Sequence, residues 1–273
     1  MDRAKLSKII SKKLEDNLPE LKSLYQNSAH EIGYFYIDDL LPDEIVKEIY
    51  SCFPKPETMK LKKTLREYKY IAAQMDQYNP ILEEAIYAFQ DKKVVELVKE
   101  ITSFDGELTP DEHLYAGGIS LMGEGQYLNP HLDNSHEKDR NKWRVFNLLF
   151  YTTPDWVVDN GGNLELWPNG VDDQQITIES KFNRLVVMAT HNHSWHSVSP
   201  IQTNNIRTCV SNYYFSDSSM KPTDTFHVTT FRGRPEQKVV DKLLMIDGKI
   251  RQSIRKIAPQ GIVKTKHLYK KNK

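Results

Sequence analysis

The sequence predicts a mainly β domain of the sandwich, barrel or jelly-roll type, with helices added at both ends. Short β-rich runs follow one another from about residue 114, and turns rich in Gly, Asn and Asp separate several of them. This part shows no strand–helix alternation, which disfavours a parallel α/β sheet. Toward both ends of the chain, apolar residues follow helical spacing instead.

The N-terminal elements follow from apolar spacing and capping residues. Residues 1–26 are predicted to be helical, because Leu and Ile recur at helical spacing. Residues 33–41 predict a short strand, and Pro42 suits the first position of a following helix. Residues 79–102 begin with Asn79, a good N-cap, followed by proline, so they predict one long helix or two short ones.

The predicted β core is assembled from short runs divided by turns such as "DNGGN" and "PNGVDD". These runs cover residues 114–122, 144–153, 163–168, 174–180, 183–190, 196–201 and 207–216. A C-terminal helix is predicted over residues 234–257. We therefore expect a helical support region with a short strand (1–113), a β core (114–219), and a C-terminal helix with a basic tail (220–273).

Composition excludes several classes of protein. Hydrophobic residues make up 39% and charged residues 27% of the chain, which is typical of globular proteins. No apolar run is long enough to span a membrane, and the N-terminus has no secretory signal pattern. Cys52 and Cys209 are far apart and form no CxxC motif, so neither a disulfide framework nor a zinc site is indicated. A cytoplasmic location is the simplest expectation.

Charge is unevenly distributed although the net charge is zero. From Lys249 onward there are nine Lys and Arg residues and no Asp or Glu. Such a segment can indicate nucleic-acid binding. We interpret it as a solvated helix and tail, so a nucleic-acid partner is not expected. The sequence does not indicate an oligomeric state.

The stretch "YLNPHLDN" contains the first chemical signal. His131 and Asp133 are separated by one residue, and in a strand such residues point to the same face. Two histidines and one carboxylate, with positions left open, are typical of non-haem Fe(II) oxygenases. The third ligand is sought among His191, His193 and His196 in "THNHSWHSVSPI".

His196 is the favoured third ligand because it begins a β-rich run, and Arg207 follows it by a distance that a hairpin can bridge. A guanidinium is a natural bidentate clamp for the far carboxylate of a chelating 2-oxo acid. His193 is the runner-up, with His196 then close to the metal or to substrate. His136, His191 and His193 are otherwise interpreted as surface or turn histidines.

The strands that flank this clamp predict a polar pocket. Cys209, Ser211 and Tyr213 share a face with Arg207, and the first two are small enough to leave room for a ligand. Asn147 shares a face with Tyr151, and an inward-pointing amide requires a polar partner. Trp156 and Trp167 are interpreted as packing residues.

Five blocks in sequence order carry a family resemblance: "GEGQYLNPHLDN", "RVFNLLFYTTPDW", "GGNLELWPNG", "NRLVVMA" and "HSVSPIQTNNIRTCVSNYYF". Over about residues 119–215 the chain resembles the 2-oxoglutarate/Fe(II) dioxygenases of the prolyl-hydroxylase type. The resemblance implies a double-stranded β-helix, a distorted jelly roll, in which the N-terminal helices buttress one sheet. Relatives commonly place a co-substrate tyrosine where Leu121 and Met122 stand here, and Tyr127 has no assigned role.

The resemblance also implies roles for individual residues. His131, Asp133 and His196 would bind Fe(II), and Arg207 would hold the 5-carboxylate of 2-oxoglutarate. Tyr151 and Ser211 occupy positions that contact this co-substrate in relatives, and we add Asn147 as a co-substrate candidate from its place on the strand. O2 would be the oxidant, with ascorbate stimulatory. An aspartate at 133, where halogenases have a small residue, favours hydroxylation.

The substrate is left open between peptidyl proline, an amino acid and a saccharide-type small molecule. Residues 60–78 and 133–143 are expected to frame the substrate mouth, and their mixed charge suits a polar substrate. One alternative is a non-oxidative, cupin-like isomerase or sugar-binding protein, which would not need Arg207 to face the metal. Another is a nucleic-acid demethylase that uses the basic tail.

Overall fold

The computed structural model describes residues 1–257 and 268–269, which contain six α-helices and thirteen β-strands. The helices are α1 (Arg3–Asp16), α2 (Leu18–Ser28), α3 (Asp43–Ser51), α4 (Pro80–Ala88), α5 (Lys92–Thr102) and α6 (Lys238–Ile257). The first seven strands are β1 (Tyr34–Ile37), β2 (Lys60–Lys63), β3 (Glu67–Ala72), β4 (Thr109–Pro110), β5 (Gly118–Met122), β6 (Tyr127–Leu132) and β7 (Trp143–Tyr151). The others are β8 (Leu164–Leu166), β9 (Ile176–Ile178), β10 (Arg184–Ala189), β11 (His196–Val198), β12 (Arg207–Ser216) and β13 (Thr230–Phe231).

The strands form one antiparallel sheet that folds over a cavity. Their order is β1-β10-β7-β12-β5-β3-β6-β11-β8-β9, and β2, β4 and β13 pair with β3, β12 and β6. Strand β3 joins two halves of the sheet, one formed by β1, β10, β7, β12 and β5 and the other by β6, β11, β8 and β9. Its residues Tyr70–Ala72 pair with β5, whereas Glu67 and Tyr68 pair with β6. Side chains from both halves line the cavity between them. The predicted double-stranded β-helix is confirmed.

Helices α1–α5 cover the outer face of the part of the sheet that contains β1, β10, β7, β12 and β5. Alternation along β7 shows the division: Phe146, Leu148 and Phe150 join the helical core, whereas Asn147 and Leu149 line the cavity. Residues Leu6, Ile10 and Leu14 of α1 are fully buried in the same core. Each such side chain contributes about 2 kcal/mol of hydrophobic stabilisation. The helices thus support the cavity wall from behind.

Capping residues explain where the N-terminal helices begin and end. Residues 1–26 form two helices, because α1 ends at Asp16 with Asn17 as its C-cap, and Pro19 lies in the first turn of α2, where its missing N–H is tolerated. Residues 79–102 also form two helices. The Ile81 N–H donates to the Asn79 side chain (3.1 Å), and Asp91 caps α5 in the same way. Helix α3 starts at Asp43, so Pro42 precedes the first helical position instead of filling it.

The N-terminal region contributes more strands than the single short one expected. Strand β1 pairs along β10, and the β2–β3 hairpin adds a further edge to the cavity. The predicted strand over residues 114–122 begins only at Gly118. The carboxylate of Asp111 accepts the N–H groups of Tyr115, Ala116 and Gly117, each at 2.8 Å, and holds those residues in a loop.

The C-terminal helix is confirmed as α6, which begins at Lys238, four residues after the predicted start. It packs beside β13, a short strand that pairs with β6. Most of the basic tail, residues 258–267 and 270–273, lies outside the described residues. None of the helices that the structure describes has the length and apolarity needed to cross a bilayer.

Candidate metal centre and its cavity

Two paired strands bring the predicted triad together. His131 lies next to the end of β6, Asp133 follows that strand directly, and His196 is the first residue of β11. The two histidines are direct partners in the β6–β11 ladder, with ring centroids 4.1 Å apart. Asp133 Oδ1 lies 3.7 Å from His131 Nε2, and its Oδ2 lies 3.8 Å from His196 Nε2. One ligand atom from each residue therefore falls within 4.8 Å of the others.

Backbone hydrogen bonds orient both imidazoles toward a common point. His131 Nδ1 lies 3.0 Å from the Asn129 carbonyl, and His196 Nδ1 lies 2.9 Å from the Ser194 carbonyl. A carbonyl only accepts, so each Nδ1 carries the proton and donates. Each Nε2 then keeps its lone pair for a metal, and a hydrogen bond from the other ring nitrogen is the usual support of a ligating histidine.

Burial and neighbouring charges set the protonation of the triad. Burial, followed by repulsion from His196, lowers the pKa of His131 to about 3. Burial also lowers the pKa of His196. Burial alone would raise the pKa of the Asp133 carboxyl, but Arg144 and the two imidazoles outweigh it and lower that pKa. Neutral imidazoles beside an ionised carboxylate form a donor set that suits a divalent metal.

Arg144 is a site residue that the sequence reading missed. Its Nη1 lies 3.2 Å from Asp133 Oδ2, and its guanidinium lies 4.5 Å from the centre of the Tyr213 ring. A β-bulge explains the omission. Phe146 pairs with Tyr214 but Arg144 pairs with Phe215, so one residue of β7 has no partner. The bulge turns Arg144 to the cavity, whereas simple alternation from Asn147 would place it on the opposite face.

Arg207 is buried in the wall of the same cavity. Its side chain is 2% exposed, its Nε donates to Ser180 Oγ (3.1 Å), and its guanidinium lies 4.7 Å from the centre of the Tyr151 ring. It forms no ion pair with any residue in the described ranges. Burying an unpaired guanidinium is costly. A bound carboxylate would remove that cost.

Gly162, in the turn before β8, leaves space for Arg207. Its φ is +67°, and a Cβ added there would lie 2.7 Å from Arg207 Cδ and 2.4 Å from Ile201 Cδ1. The preceding Gly161 also has a positive φ, and a Cβ there would lie 2.0 Å from the Pro200 carbonyl oxygen. Both glycines of "DNGGN" are therefore required by close packing, Gly161 against Pro200 and Gly162 against Arg207.

The remaining co-substrate candidates lie around the same space. Asn147 and Ser211 line the cavity, and the Asn147 Oδ1 is buried without a hydrogen-bond partner. The hydroxyl of Tyr151 is likewise buried without a hydrogen bond of standard geometry. Met122 lies against the guanidinium of Arg207, with Sδ 3.6 Å from Nη1. Tyr127 instead donates to the Thr64 carbonyl (3.2 Å) and supports the β2–β3 hairpin.

The other histidines and the tryptophans lie outside the triad. His136 and His191 are buried, so neither is a surface histidine, but His191 begins the turn in which His193 is exposed, as expected for a turn histidine. Burial and repulsion from Lys221 lower the pKa of His191 to about 4. Trp156 and Trp167 pack in the interior as predicted, with indole N–H groups donating to Gly161 and Ser197.

The cavity has a volume of about 720 Å³, which is within the usual range for small-molecule sites. Residues from the predicted mouth segment 60–78 form much of its rim. The second predicted segment, 133–143, contributes only Asp133 and Asn134. The bulged Arg144 and residues of α6 complete the wall, and neither was expected there.

Comparison with known proteins shows that the β core matches one family model. Residues 117–215 match the model of the 2OG-Fe(II) oxygenase superfamily. No curated protein sequence matches the chain.

Several solved structures have a fold similar to that of this chain. A prolyl-4-hydroxylase from Pseudomonas putida has a TM-score of 0.52 and 15% identity, covering 71% of this chain and 97% of that one. Prolyl 4-hydroxylase from Phytophthora capsici has a TM-score of 0.54 and 16% identity, covering 96% and 81%. A Trichoplax adhaerens prolyl hydroxylase, in complex with a hypoxia inducible factor peptide, has a TM-score of 0.51 and 19% identity, covering 75% and 92%.

Proposed function

We propose that this protein is an Fe(II)/2-oxoglutarate-dependent dioxygenase that hydroxylates an unactivated C–H bond of a polar substrate. Peptidyl proline, a free amino acid and a saccharide-type small molecule are the candidate classes. The observation that carries the proposal is Arg207, a buried arginine that pairs with no carboxylate of the described residues, in the wall of the cavity that the triad also lines. A non-oxidative jelly roll has no need of that arginine.

The residues present fit the implied cofactors. His131, Asp133 and His196 would hold Fe(II), since two lone pairs and a carboxylate converge there. Arg207 would hold the 5-carboxylate of 2-oxoglutarate, and Asn147, Tyr151 and Ser211 would supply polar contacts to it. When bound, the iron and 2-oxoglutarate supply an O2-dependent oxidative decarboxylation to succinate and CO2 that is coupled to C–H hydroxylation.

The chain itself binds, orients and shields. Arg144 keeps Asp133 ionised, and the backbone carbonyls of Asn129 and Ser194 hold the two imidazoles in the ligating tautomer. Phe231 stacks on the His131 ring at 5.2 Å and excludes water from that side. No side chain is required as a general base.

A spectroscopic titration tests the binding of both cofactors. In an anaerobic solution, Fe(II) followed by 2-oxoglutarate is expected to produce a weak visible charge-transfer band. Asp133→Ala should abolish iron binding, and Arg207→Met should keep iron but lose the band at moderate 2-oxoglutarate concentrations. Arg184→Met is the matched control, because Arg184 is also buried but does not line the cavity. Iron-loaded wild-type protein that shows no band would favour the cupin-like alternative.

Turnover tests the reaction class. Candidate substrates should stimulate succinate formation in the presence of Fe(II), 2-oxoglutarate and O2, with Asp133→Ala as the inactive control. Ascorbate is expected to raise the yield by keeping the iron reduced. Hydroxylated product detected by mass spectrometry would establish the reaction. Succinate formation equal in wild type and Asp133→Ala would contradict it.

A further inference from the structure

Cations dominate the wall of the cavity. The positively charged lining residues are Lys62, Arg66, Lys69, Arg144, Arg207, Arg251 and Arg255, whereas the carboxylates are Glu67 and Asp133. Arg207 and Arg144 already have roles at the co-substrate and at Asp133. The remaining cations lie on the β2–β3 hairpin and on α6, which is more positive charge than metal and co-substrate require.

Pairs of these cations share single carboxylates. Lys62 Nζ and Lys69 Nζ both lie 3.2 Å from oxygens of Glu67. On the α6 side, Arg66 lies 2.5 Å and Arg251 Nε lies 3.7 Å from Asp247. Each group of two cations and one carboxylate therefore retains a positive charge.

This charge is held where water screens it poorly. The side chains of Lys69, Arg66 and Arg251 are only 20%, 30% and 31% exposed. Burial, together with repulsion from Arg66 and Arg255, lowers the pKa of Arg251. Its Nη2 donates to the Thr229 carbonyl, but its buried Nε has no hydrogen-bond partner among the described residues. Like charges gathered in a half-buried site are unfavourable unless an anion joins them.

The cations lie close to the candidate metal centre. The Arg66 guanidinium is 6.0 Å from the centre of the Phe231 ring, and that ring stacks on His131. Lys69 lies on β3, which is between β6 and β5 in the sheet. Strand β6 carries His131, and Met122 of β5 pairs with Arg207. A ligand in contact with these cations would therefore occupy the same cavity as the metal centre.

Building on the proposed function, we propose that the primary substrate is a small anionic molecule. Its carboxylate or phosphate group binds Arg66, Lys69 and Arg251, while the C–H bond to be hydroxylated faces the triad. A small molecule is favoured over a polyanionic chain because these cations line a cavity of about 720 Å³. Long-range attraction by the same charges would also accelerate the approach of an anion.

Anion binding is tested without metal or turnover. Inorganic phosphate is titrated calorimetrically into metal-free wild type, Arg66→Gln/Arg251→Gln, Lys69→Gln, Arg207→Met and Lys249→Gln. Lys249 is the matched control, because it lies on α6 outside the cavity lining. The double variant should weaken phosphate binding about tenfold or more, since charged hydrogen bonds are lost. Lys69→Gln should weaken it several-fold, whereas Lys249→Gln should bind as wild type, and Arg207→Met reports any phosphate held at the co-substrate position.

Two binding results would overturn the inference. Phosphate binding unchanged in both the double variant and Lys69→Gln would show that these cations form no anion site. Binding lost in Arg207→Met alone would place the anion at the co-substrate position. Because neither readout uses iron, failure of the proposed function and failure of this inference are distinguishable.

Activity then separates the possible anions. Matched pairs, namely N-acetyl amino acids with their amides and phosphate monoesters with their parent alcohols, are compared for stimulated succinate formation. The charged member of a pair should stimulate, and the double variant should raise its KM at least about tenfold with little change in the KM for 2-oxoglutarate. Stimulation by the neutral member alone, or by an oligonucleotide alone, would overturn the assignment of a small anion.

Discussion

Replacing Gly162 by alanine should loosen the grip of Arg207 on 2-oxoglutarate. The substitution adds one carbon, which would lie 2.7 Å from Arg207 Cδ, whereas ordinary contacts begin near 3.4 Å. The arginine must therefore shift by several tenths of an ångström or more. Because a bidentate clamp depends on geometry, losing one charged hydrogen bond would cost about 1.5–3 kcal/mol, which is a factor of ten or more in KM for 2-oxoglutarate.

The backbone adds a separate cost that a control variant isolates. Gly162 and Gly170 both have positive φ, +67° and +93°, and either alanine would strain the chain by about 1–2 kcal/mol. No atom lies within 4 Å of a Cβ at Gly170. Gly170→Ala should therefore lose stability alone, whereas Gly162→Ala should lose stability and co-substrate affinity together.

The assay combines urea denaturation with initial rates of succinate formation at varied 2-oxoglutarate. Both variants should unfold at lower urea concentrations than wild type. A KM for 2-oxoglutarate that is unchanged in Gly162→Ala, in protein shown to be folded, would refute the argument that this glycine makes room for Arg207. An equal rise in KM for Gly170→Ala would show that general destabilisation is responsible.

Three further predictions concern residues around the core. Asp38→Ala leaves the guanidinium of Arg184 without its two hydrogen bonds to that carboxylate (2.6 and 2.9 Å) and should lower the unfolding free energy by about 2–3 kcal/mol in urea titrations. Lys12→Ala, which removes an exposed ion pair with Asp16, should change the urea midpoint little when measured in parallel. His191 has a folded-state pKa of about 4 and an unfolded-state pKa near 6.5, so the unfolded state takes up the proton first as the pH falls. The free energy of unfolding should therefore decrease by up to about 3 kcal/mol between pH 6.5 and pH 4. His191→Gln should remove this part of the pH dependence, and identical pH profiles for the variant and wild type would count against the prediction. Asn147→Leu removes a buried amide whose Oδ1 has no hydrogen-bond partner among the described residues, so the variant should be at least as stable as wild type. Its KM for 2-oxoglutarate should rise, and an unchanged KM would exclude Asn147 from co-substrate binding.

Local sequence patterns were sufficient to predict the ligand-bearing strands. The one-residue spacing of His131 and Asp133 determines their common direction, and the β-rich run at His196 distinguishes it from His193 in the preceding turn. The structure brings all three together, although metal binding itself stays a prediction. The placement of Arg207 in the same cavity also follows from alternation along β12.

Features that depend on long-range pairing escaped the sequence reading. Arg144 enters the cavity only because of a bulge in the β7–β12 ladder, and a bulge leaves no local signature in "KWRVFNLL". Strand β3, "EYKYIA", has no clean apolar alternation, and all six of its residues are only partly buried. The cations of α6 were read as a solvated face, since no local pattern shows which part of the chain a helix packs against.

The pairing of β1 and β3 with later strands has a consequence for biosynthesis. Tyr34 pairs with Met188, so β1 acquires its sheet partner only after more than two thirds of the chain has been synthesised, and Glu67 of β3 must wait for Leu128. Such high contact order slows folding and leaves unpaired strand edges exposed in the nascent chain. Yield of folded protein should therefore respond more to growth temperature and chaperone supply than to thermodynamic stability, and shortening the N-terminus would remove the strands that close the barrel.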